Sequence, residues 1–368
     1  MIERITLKNF TVFNDVSLDL SPKINVVIGE NGTGKTQLLK ALYFSNKSLA
    51  TQDATSDDLL RLFRPLSNSL KGLVGDDGKS KAELTCQLAT GQNMTISFSS
   101  GSKQLAKDKF LSTPVVGAPN LIPVKEVLSL MRGMLTGRLS TETLQLLFDQ
   151  SYLDISKSLA KKAPTNAGEK IDQDPRFSAI YIKLIKLLGG RFEVSVLANQ
   201  AYVTFKAGHF DQVKDTKSEN HGKTTFRVKR SDSADMTAEG LRKLGTLQLL
   251  LENHSINPGQ GGIVLWDEPE ANLNPKLMKL VVELLLELAR NGQQVVVATH
   301  DYVLLKWFDL LVRPGKGDHI RFHALANDGD KVTVQSAESY KELDNNAISN
   351  TYSDLYDAEI KRSLGGEK

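Results

Sequence analysis

The 368-residue chain exceeds one minimal core, and ~100–200 residues per domain points to about two compact units, which excludes a peptide or a simple binding module. Hydrophobic residues at 40% and charged residues at 24% supply a packed core without wholesale disorder, and a net charge of +3 is too small to mark a nucleic-acid binder by itself. The single cysteine, Cys86, excludes an internal disulfide framework and a multi-cysteine zinc site; with no secretory leader after Met1 and no run of ~18 apolar residues, the expectation is a cytoplasmic chain with no membrane contact.

Residues 2–7 and 16–20 alternate apolar and polar around Phe13-Asn14-Asp15, which predicts two half-buried strands joined by a turn there. The apolar run 24–28, a glycine loop and a helical pattern from Lys35 through Leu38, Leu39 and Leu42 follow. Residues 82–98 predict a hairpin about Thr90–Asn93, and residues 125–163 and 177–188 carry helical patterns that suggest a helical lobe. Residues 191–196 and 201–206 predict another hairpin around Asn199-Gln200, and the polar stretch 208–223 a solvated loop. An amphipathic helix through Leu241, Leu244, Gln248 and Leu251 leads to a buried strand at 263–266. A helix through Leu277–Leu288 ending near Gly292 and an apolar strand at 294–298 come next. This alternation predicts a parallel sheet with crossovers; a hairpin around Asn327-Asp328-Gly329 and a polar terminal helix at 350–364 close the chain.

The stretch Gly29-Glu30-Asn31-Gly32-Thr33-Gly34-Lys35-Thr36 fits G-x-x-x-x-G-K-[ST] between an apolar strand and an amphipathic helix. In that setting backbone amides and the helix N-terminus converge on phosphate oxygens, Lys35 reaches the β and γ phosphates, and the Thr36 hydroxyl ligates Mg²⁺. The expected nucleotide contacts are Gly29, Asn31, Gly32, Thr33, Gly34, Lys35, Thr36 and Gln37. After the strand at 263–266, Asp267 is placed to hold Mg²⁺ together with Thr36, and Glu268 to polarise an attacking water. The bland alternative is a helix-capping Asp267 and a solvated Glu268.

Asp267-Glu268-Pro269-Glu270-Ala271-Asn272-Leu273-Asn274-Pro275 resembles the Walker B and D-loop of ABC-type ATPases, in the SMC/RecF/OLD-like branch, and Thr299-His300-Asp301 resembles its switch histidine. The resemblance implies an α/β P-loop ATPase core with a parallel sheet, an N-terminal antiparallel β subdomain and an inserted helical lobe. Its expected division is 1–105 and 236–340 for the core, 106–235 for the lobe and 341–368 for a C-terminal helix. It further implies ATP and Mg²⁺ as cofactors, catalytic roles for Lys35, Glu268 and His300, and a homodimer sandwiching two nucleotides.

In the signature-like segment Thr237-Ala238-Glu239-Gly240-Leu241-Arg242, Ala238 and Gly240 are expected to face the partner's nucleotide. Ala238 stands where the family usually has serine, so one γ-phosphate hydrogen bond is lost and closure relies on backbone amides, Thr237 or Arg242. No Q-loop glutamine occurs near residues 122–126; Lys125 or Glu126 takes its place, or the two form a solvated charge pair. His209, Asp211, Asp215, Glu219 and His221 fit no metal-ligand spacing and read as a charged loop. Lys223, Arg227, Lys229 and Arg230, and Lys157, Lys161 and Lys162, are possible nucleic-acid contacts.

The resemblance extends to ATPase subunits of anti-phage systems such as Septu and PARIS, which implies a separately encoded nuclease or toxin as effector. No TOPRIM-like acidic set follows His300, so a fused nuclease is not expected. The alternatives are a RecF-like repair ATPase that clamps DNA, a transporter's nucleotide-binding subunit, disfavoured by the Leu7-Lys8-Asn9-Phe10 strand and the long insertion, and a nucleotide-gated scaffold with negligible turnover.

Overall fold

A computed structural model describes residues 1–75, 81–107, 116–135, 139–197, 200–214, 218, 221–259, 261–329, 331–344 and 347–364. The chain begins with strands β1 (Ile2–Phe10), β2 (Phe13–Asp19) and β3 (Ile24–Gly29), then helices α1 (Lys35–Thr51) and α2 (Ser56–Phe63). Strands β4 (Ala82–Leu88), β5 (Asn93–Phe98), β6 (Ala106–Lys107) and β7 (Asn120–Ile122) precede helices α3 (Met131–Met134), α4 (Thr141–Leu147), α5 (Gln150–Leu159), α6 (Ala167–Gln173) and α7 (Pro175–Leu188). An antiparallel arm of β8 (Gly190–Leu197), β9 (Gln200–Gln212) and β10 (Thr224–Ser233) leads to α8 (Glu239–Glu252). The chain returns to the centre through β11 (Val264–Asp267), α9 (Pro275–Arg290), β12 (Val295–Ala298) and α10 (Tyr302–Leu311), and ends with β13 (Ile320–Asp328), β14 (Lys331–Ala337) and α11 (Ala347–Ser363).

The central sheet runs β14-β13-β3-β12-β11-β7, parallel from β13 to β7 with β14 antiparallel at one edge. Its inner strands β3, β11 and β12 are buried on both faces, as the apolar runs at 26–28 and 295–298 require. Alternate side chains serve two cores. Val27, Leu265 and Val296 pack with Leu38, Leu39 and Leu42 of α1 and with the N-terminal sheet β2-β1-β4-β5-β6. Val26, Trp266 and Val297 point the other way, into a core shared with α7, α8, α9 and α10. Ile155, Leu159, Phe177 and Tyr181 belong to that second core too, so α5 and α7 are packed into the same apolar interior as the sheet.

Several local expectations are corrected. The first turn lies at Thr11-Val12, and Phe13–Asp15 are inside β2; Asn9 (φ 46°) and Thr11 (φ 55°) take the left-handed conformation, so the chain reverses without a glycine. Within the run 125–163 the first helix starts only at Met131, because residues 123–130 are irregular, and short α3 and α4 precede α5. Residues 208–212 continue β9 as an antiparallel partner of β10 instead of forming a loop. The turn residue Asn199 lies outside the described residues, as do Asp215 and Glu219.

Candidate functional site

The C-terminal ends of β3, β11 and β12 lie side by side, because Asp267 pairs in register with Ala298 and Ala298 with Val27. The three motif segments emerge from these ends. After Gly29 the chain turns through a loop closed by the Thr33 hydroxyl, which donates to the Glu30 carbonyl at 2.8 Å. Gly34 (φ 93°) hands the chain into α1, whose N-terminus has no side-chain cap. The Lys35 ammonium folds back over the loop, donating to the carbonyls of Gly29 (2.7 Å) and Glu30 (2.9 Å). Burial lowers its pKa, with Glu268, Asp267 and Glu270 pulling the other way. Gln37 follows half-buried, its Oε1 without a hydrogen-bond partner in the described structure.

Opposite the loop, the Thr36 hydroxyl donates to Asp267 Oδ2 at 2.7 Å, across 231 positions of sequence. Burial raises the Asp267 carboxyl above its usual range. Glu268 sits at φ 46°, an uncommon conformation for a side chain of its size, held by its amide donating to the Ala298 carbonyl at 2.8 Å and by its carbonyl accepting from Lys243. Glu268 Oε1 is 3.1 Å from His300 Nδ1, and the imidazole is about half exposed at 52%.

Sequence reasoning gave no role to Glu270 or Lys243. Glu270 is buried, its Oε1 accepting from the Thr299 hydroxyl (2.6 Å) and the His300 amide (3.3 Å), and burial raises its pKa. Its second oxygen is buried without a hydrogen-bond partner in the described structure. Lys243 is only 2% exposed. Its signal was the helical spacing Gly240, Lys243, Leu244, Leu247, which puts the ammonium on the buried face of α8.

The signature-like segment starts α8 with Ala238 as an uncapped, exposed N-cap. Gly240 is buried against the Asn272 carbonyl and Leu273, so packing on the turn after Glu268 already demands a glycine there. Arg242 turns inward: its guanidinium donates to the Thr237 carbonyl (2.6 Å) and forms an ion pair with Glu126 at 3.1 Å. Glu126 is therefore buried rather than solvated, its other oxygen accepting from the Ser129 amide at 3.1 Å, while Lys125 is exposed.

Among the described residues no group of three or more His, Cys, Asp or Glu is placed to hold a metal ion. His209 and Asp211 lie on β9, with Asp211 3.2 Å from both His209 and Arg227; Arg230 pairs with Asp232 at 2.6 Å. These pairings neutralise much of the basic patch on the arm. Lys157, Lys161 and Lys162 are exposed near the end of α5. Among the described residues no helix is long and apolar enough to cross a membrane.

The fold is similar to that of SMC heads. A head bound to the C-winged helix domain of ScpA superposes with a TM-score of 0.56 at 14% identity, covering 92% of this chain and 98% of that one. A head with coiled coil and joint from Pyrococcus yayanosii gives 0.54 at 12% identity over 96% and 99%. At these identities the likeness shows the fold alone. Curated relatives are DNA replication and repair proteins RecF: 28% identity over 115 residues with that of Streptococcus uberis, covering 31% of this chain and 30% of that protein, and 35% over 66 residues with that of Halalkalibacterium halodurans, covering 18% of each. The matched segments thus span less than a third of these relatives' length. Fold and matches together define an ATPase domain whose fold is similar to that of SMC heads and whose segments are similar to RecF proteins. More particularly, the chain belongs to the AAA ATPase domain family, whose model matches residues 1–244. A second model, described as an AAA domain, putative AbiEii toxin, Type IV TA system, matches residues 193–306.

Proposed function

We propose that the chain binds ATP on residues 29–37 and hydrolyses it as the ATPase subunit of a bacterial anti-phage complex, controlling a separately encoded effector through nucleotide-driven dimerisation. The observation that carries the ATP site is the Thr36 to Asp267 hydrogen bond, which joins a P-loop hydroxyl to a buried strand-end carboxylate. One hydroxyl and one carboxylate are hard oxygen donors of the kind Mg²⁺ takes alongside nucleotide phosphates, and three carboxylates, Asp267, Glu268 and Glu270, around two ammonium groups, Lys35 and Lys243, fit a site built to receive positive charge. When bound, Mg²⁺ supplies Lewis-acid neutralisation of the phosphate oxygens.

The chain's own residues do the rest. Lys35 exchanges its two carbonyl partners for phosphate oxygens, and the amides of the loop and of the first turn of α1 orient them. Glu268 takes the proton of the attacking water, and His300, 3.1 Å from that carboxylate, contacts the γ-phosphate side of the site and reports its occupancy. The segment from Thr237 through Gly240 of one chain meets the nucleotide of the other, using backbone amides because Ala238 has no hydroxyl. The defence role and the effector partner rest on the resemblance of the motif segments to ATPase subunits of anti-phage systems.

Glu268→Gln tests the reading. It removes the base without changing size, so turnover is expected to fall ~10²–10⁴-fold while ATP binding persists and the ATP-bound dimer accumulates in sedimentation. Wild-type turnover, or a monomer at micromolar concentration with and without ATP, refutes it. A second reading, a RecF-like ATPase that clamps DNA, is favoured by the RecF relatives; salt-dependent DNA binding by the isolated protein distinguishes it.

A further inference from the structure

The N-terminus of α8 is fastened to the turn that carries Glu268 by three contacts. Lys243 passes under the turn and donates to the Glu268 carbonyl. Gly240 packs against the Asn272 carbonyl so closely that a methyl group has no room. The Asn272 amide donates to Glu239 Oε1 at 2.8 Å. Of these only the first grips Glu268 itself, whose backbone stands at φ 46°, where a non-glycine residue must be held by its surroundings. Burying an ammonium is costly, and Lys243 is compensated by the carboxylates Glu270, Asp267 and Glu268 around it and by that one carbonyl. A leucine or methionine would fill the same volume without that cost, so packing alone does not call for lysine here.

We propose that Lys243 is a positioning residue for hydrolysis: it couples the signature-like segment to Glu268 of the same chain, so that docking of Thr237–Gly240 on the partner's nucleotide sets the carboxylate over the chain's own. The inference rests on the ATPase reading above. Before docking, the Glu268 side chain is engaged by His300 at 3.1 Å. A shift of the α8 N-terminus is transmitted to the Glu268 backbone through the ammonium, since Gly240 and Glu239 bear on residue 272, four positions further along the turn. The two nucleotide sites of a dimer would thereby turn over in concert, each chain's base answering to the other chain's ATP.

The test compares Lys243→Met, which preserves length and apolar stem, with Lys243→Arg, which preserves the charge and the donor. Turnover, binding of a fluorescent ATP analogue and ATP-dependent dimerisation in the Glu268→Gln background are measured for each. Lys243→Met should lower kcat at least tenfold with KM, analogue affinity and dimerisation within about twofold of the parent, and Lys243→Arg should restore part of kcat. Wild-type kcat in Lys243→Met overturns the proposal. So does a joint loss of kcat, nucleotide binding and dimerisation, which is what a residue needed only for the pocket or the fold would give; thermal melting of both variants identifies that case. If the wild-type chain neither turns over ATP nor dimerises with it, the ATPase reading fails first. If Glu268→Gln is inactive and Lys243→Met is not, the coupling alone is wrong.

Discussion

His323 offers a quantitative test of the central sheet that is independent of nucleotide. It lies on β13 with no exposure, between Ser336 Oγ at 2.7 Å from Nδ1 and Asn25 Oδ1 at 3.2 Å from Nε2. Asn25 Oδ1 also accepts from the Ser21 amide at 2.7 Å, and the Asn25 amide donates to the Ser21 carbonyl at 2.9 Å, so Oδ1 faces the imidazole as an acceptor. Nε2 therefore carries the proton and Nδ1 accepts from Ser336. Burial, reinforced by Arg321 and opposed by Asp19, pushes the imidazole down to about 3 from its usual 6.5. The unfolded chain takes up this proton below pH 6.5 while the folded chain does not. The stabilisation is thus complete above 6.5 and is lost as pH falls from 6.5 towards 3, at up to ~1.4 kcal/mol per pH unit. Between pH 7.5 and 5.0 the expected loss is ~2 kcal/mol. Asp267, Glu252 and Glu270, raised by burial, act with the opposite sign, so the assay is a difference. Urea unfolding of wild type and His323→Gln at both pH values should show the variant less stable at 7.5, yet losing ~2 kcal/mol less on acidification. Equal losses for the two proteins refute the assignment of a neutral, buried imidazole.

Two further outcomes concern the nucleotide site. Asp267→Asn removes a carboxylate that burial already disfavours, so the nucleotide-free protein should melt no lower than wild type, while Mg²⁺-ATP should no longer raise its melting temperature; an undiminished Mg²⁺-ATP shift would contradict the role of Asp267. Gly34→Ala places a methyl group 2.7 Å from Val12 Cγ2 and 2.8 Å from Phe13 Cζ at φ 93°, costing ~1–3 kcal/mol and ATP binding with it, whereas Gly32→Ala, at φ 87° with nothing within 4 Å, should cost less; equal destabilisation by calorimetry would show that the β1–β2 turn does not pack on the loop as described.

Much of the architecture was legible because the central strands are buried on both faces and read as predominantly apolar runs, each followed by a motif whose residue types are fixed by chemistry. The ladder pairing Asp267 with Ala298 and Ala298 with Val27 then brings the motifs together without further information. The arm was harder. Gly208, His209 and Asp211 look like loop residues, but they extend β9 beyond its pairing with β8 and pair with β10, and the backbone ladder overrides a composition that periodicity alone assigns to solvent. The first turn was missed for a related reason: Asn9 and Thr11 adopt positive φ where turn chemistry favours the Asn-Asp dipeptide that follows.

Charged residues were the least legible, because a sequence shows a charge and not its partner. Glu126 and Arg242, 116 positions apart, read separately as a Q-loop stand-in or one of a solvated charge pair, and as a contact for a second chain. Paired at 3.1 Å, they tie the segment after β7 to the helix that begins with the signature-like residues. Breaking a buried pair of this kind leaves the remaining charge uncompensated, so the contact fixes the relative placement of the two segments more than it adds to net stability. The same holds at Lys243 and Glu270. The motifs already bring Lys35, Asp267 and Glu268 to one site, but only the fold reveals that the buried Lys243 and Glu270 belong to it too.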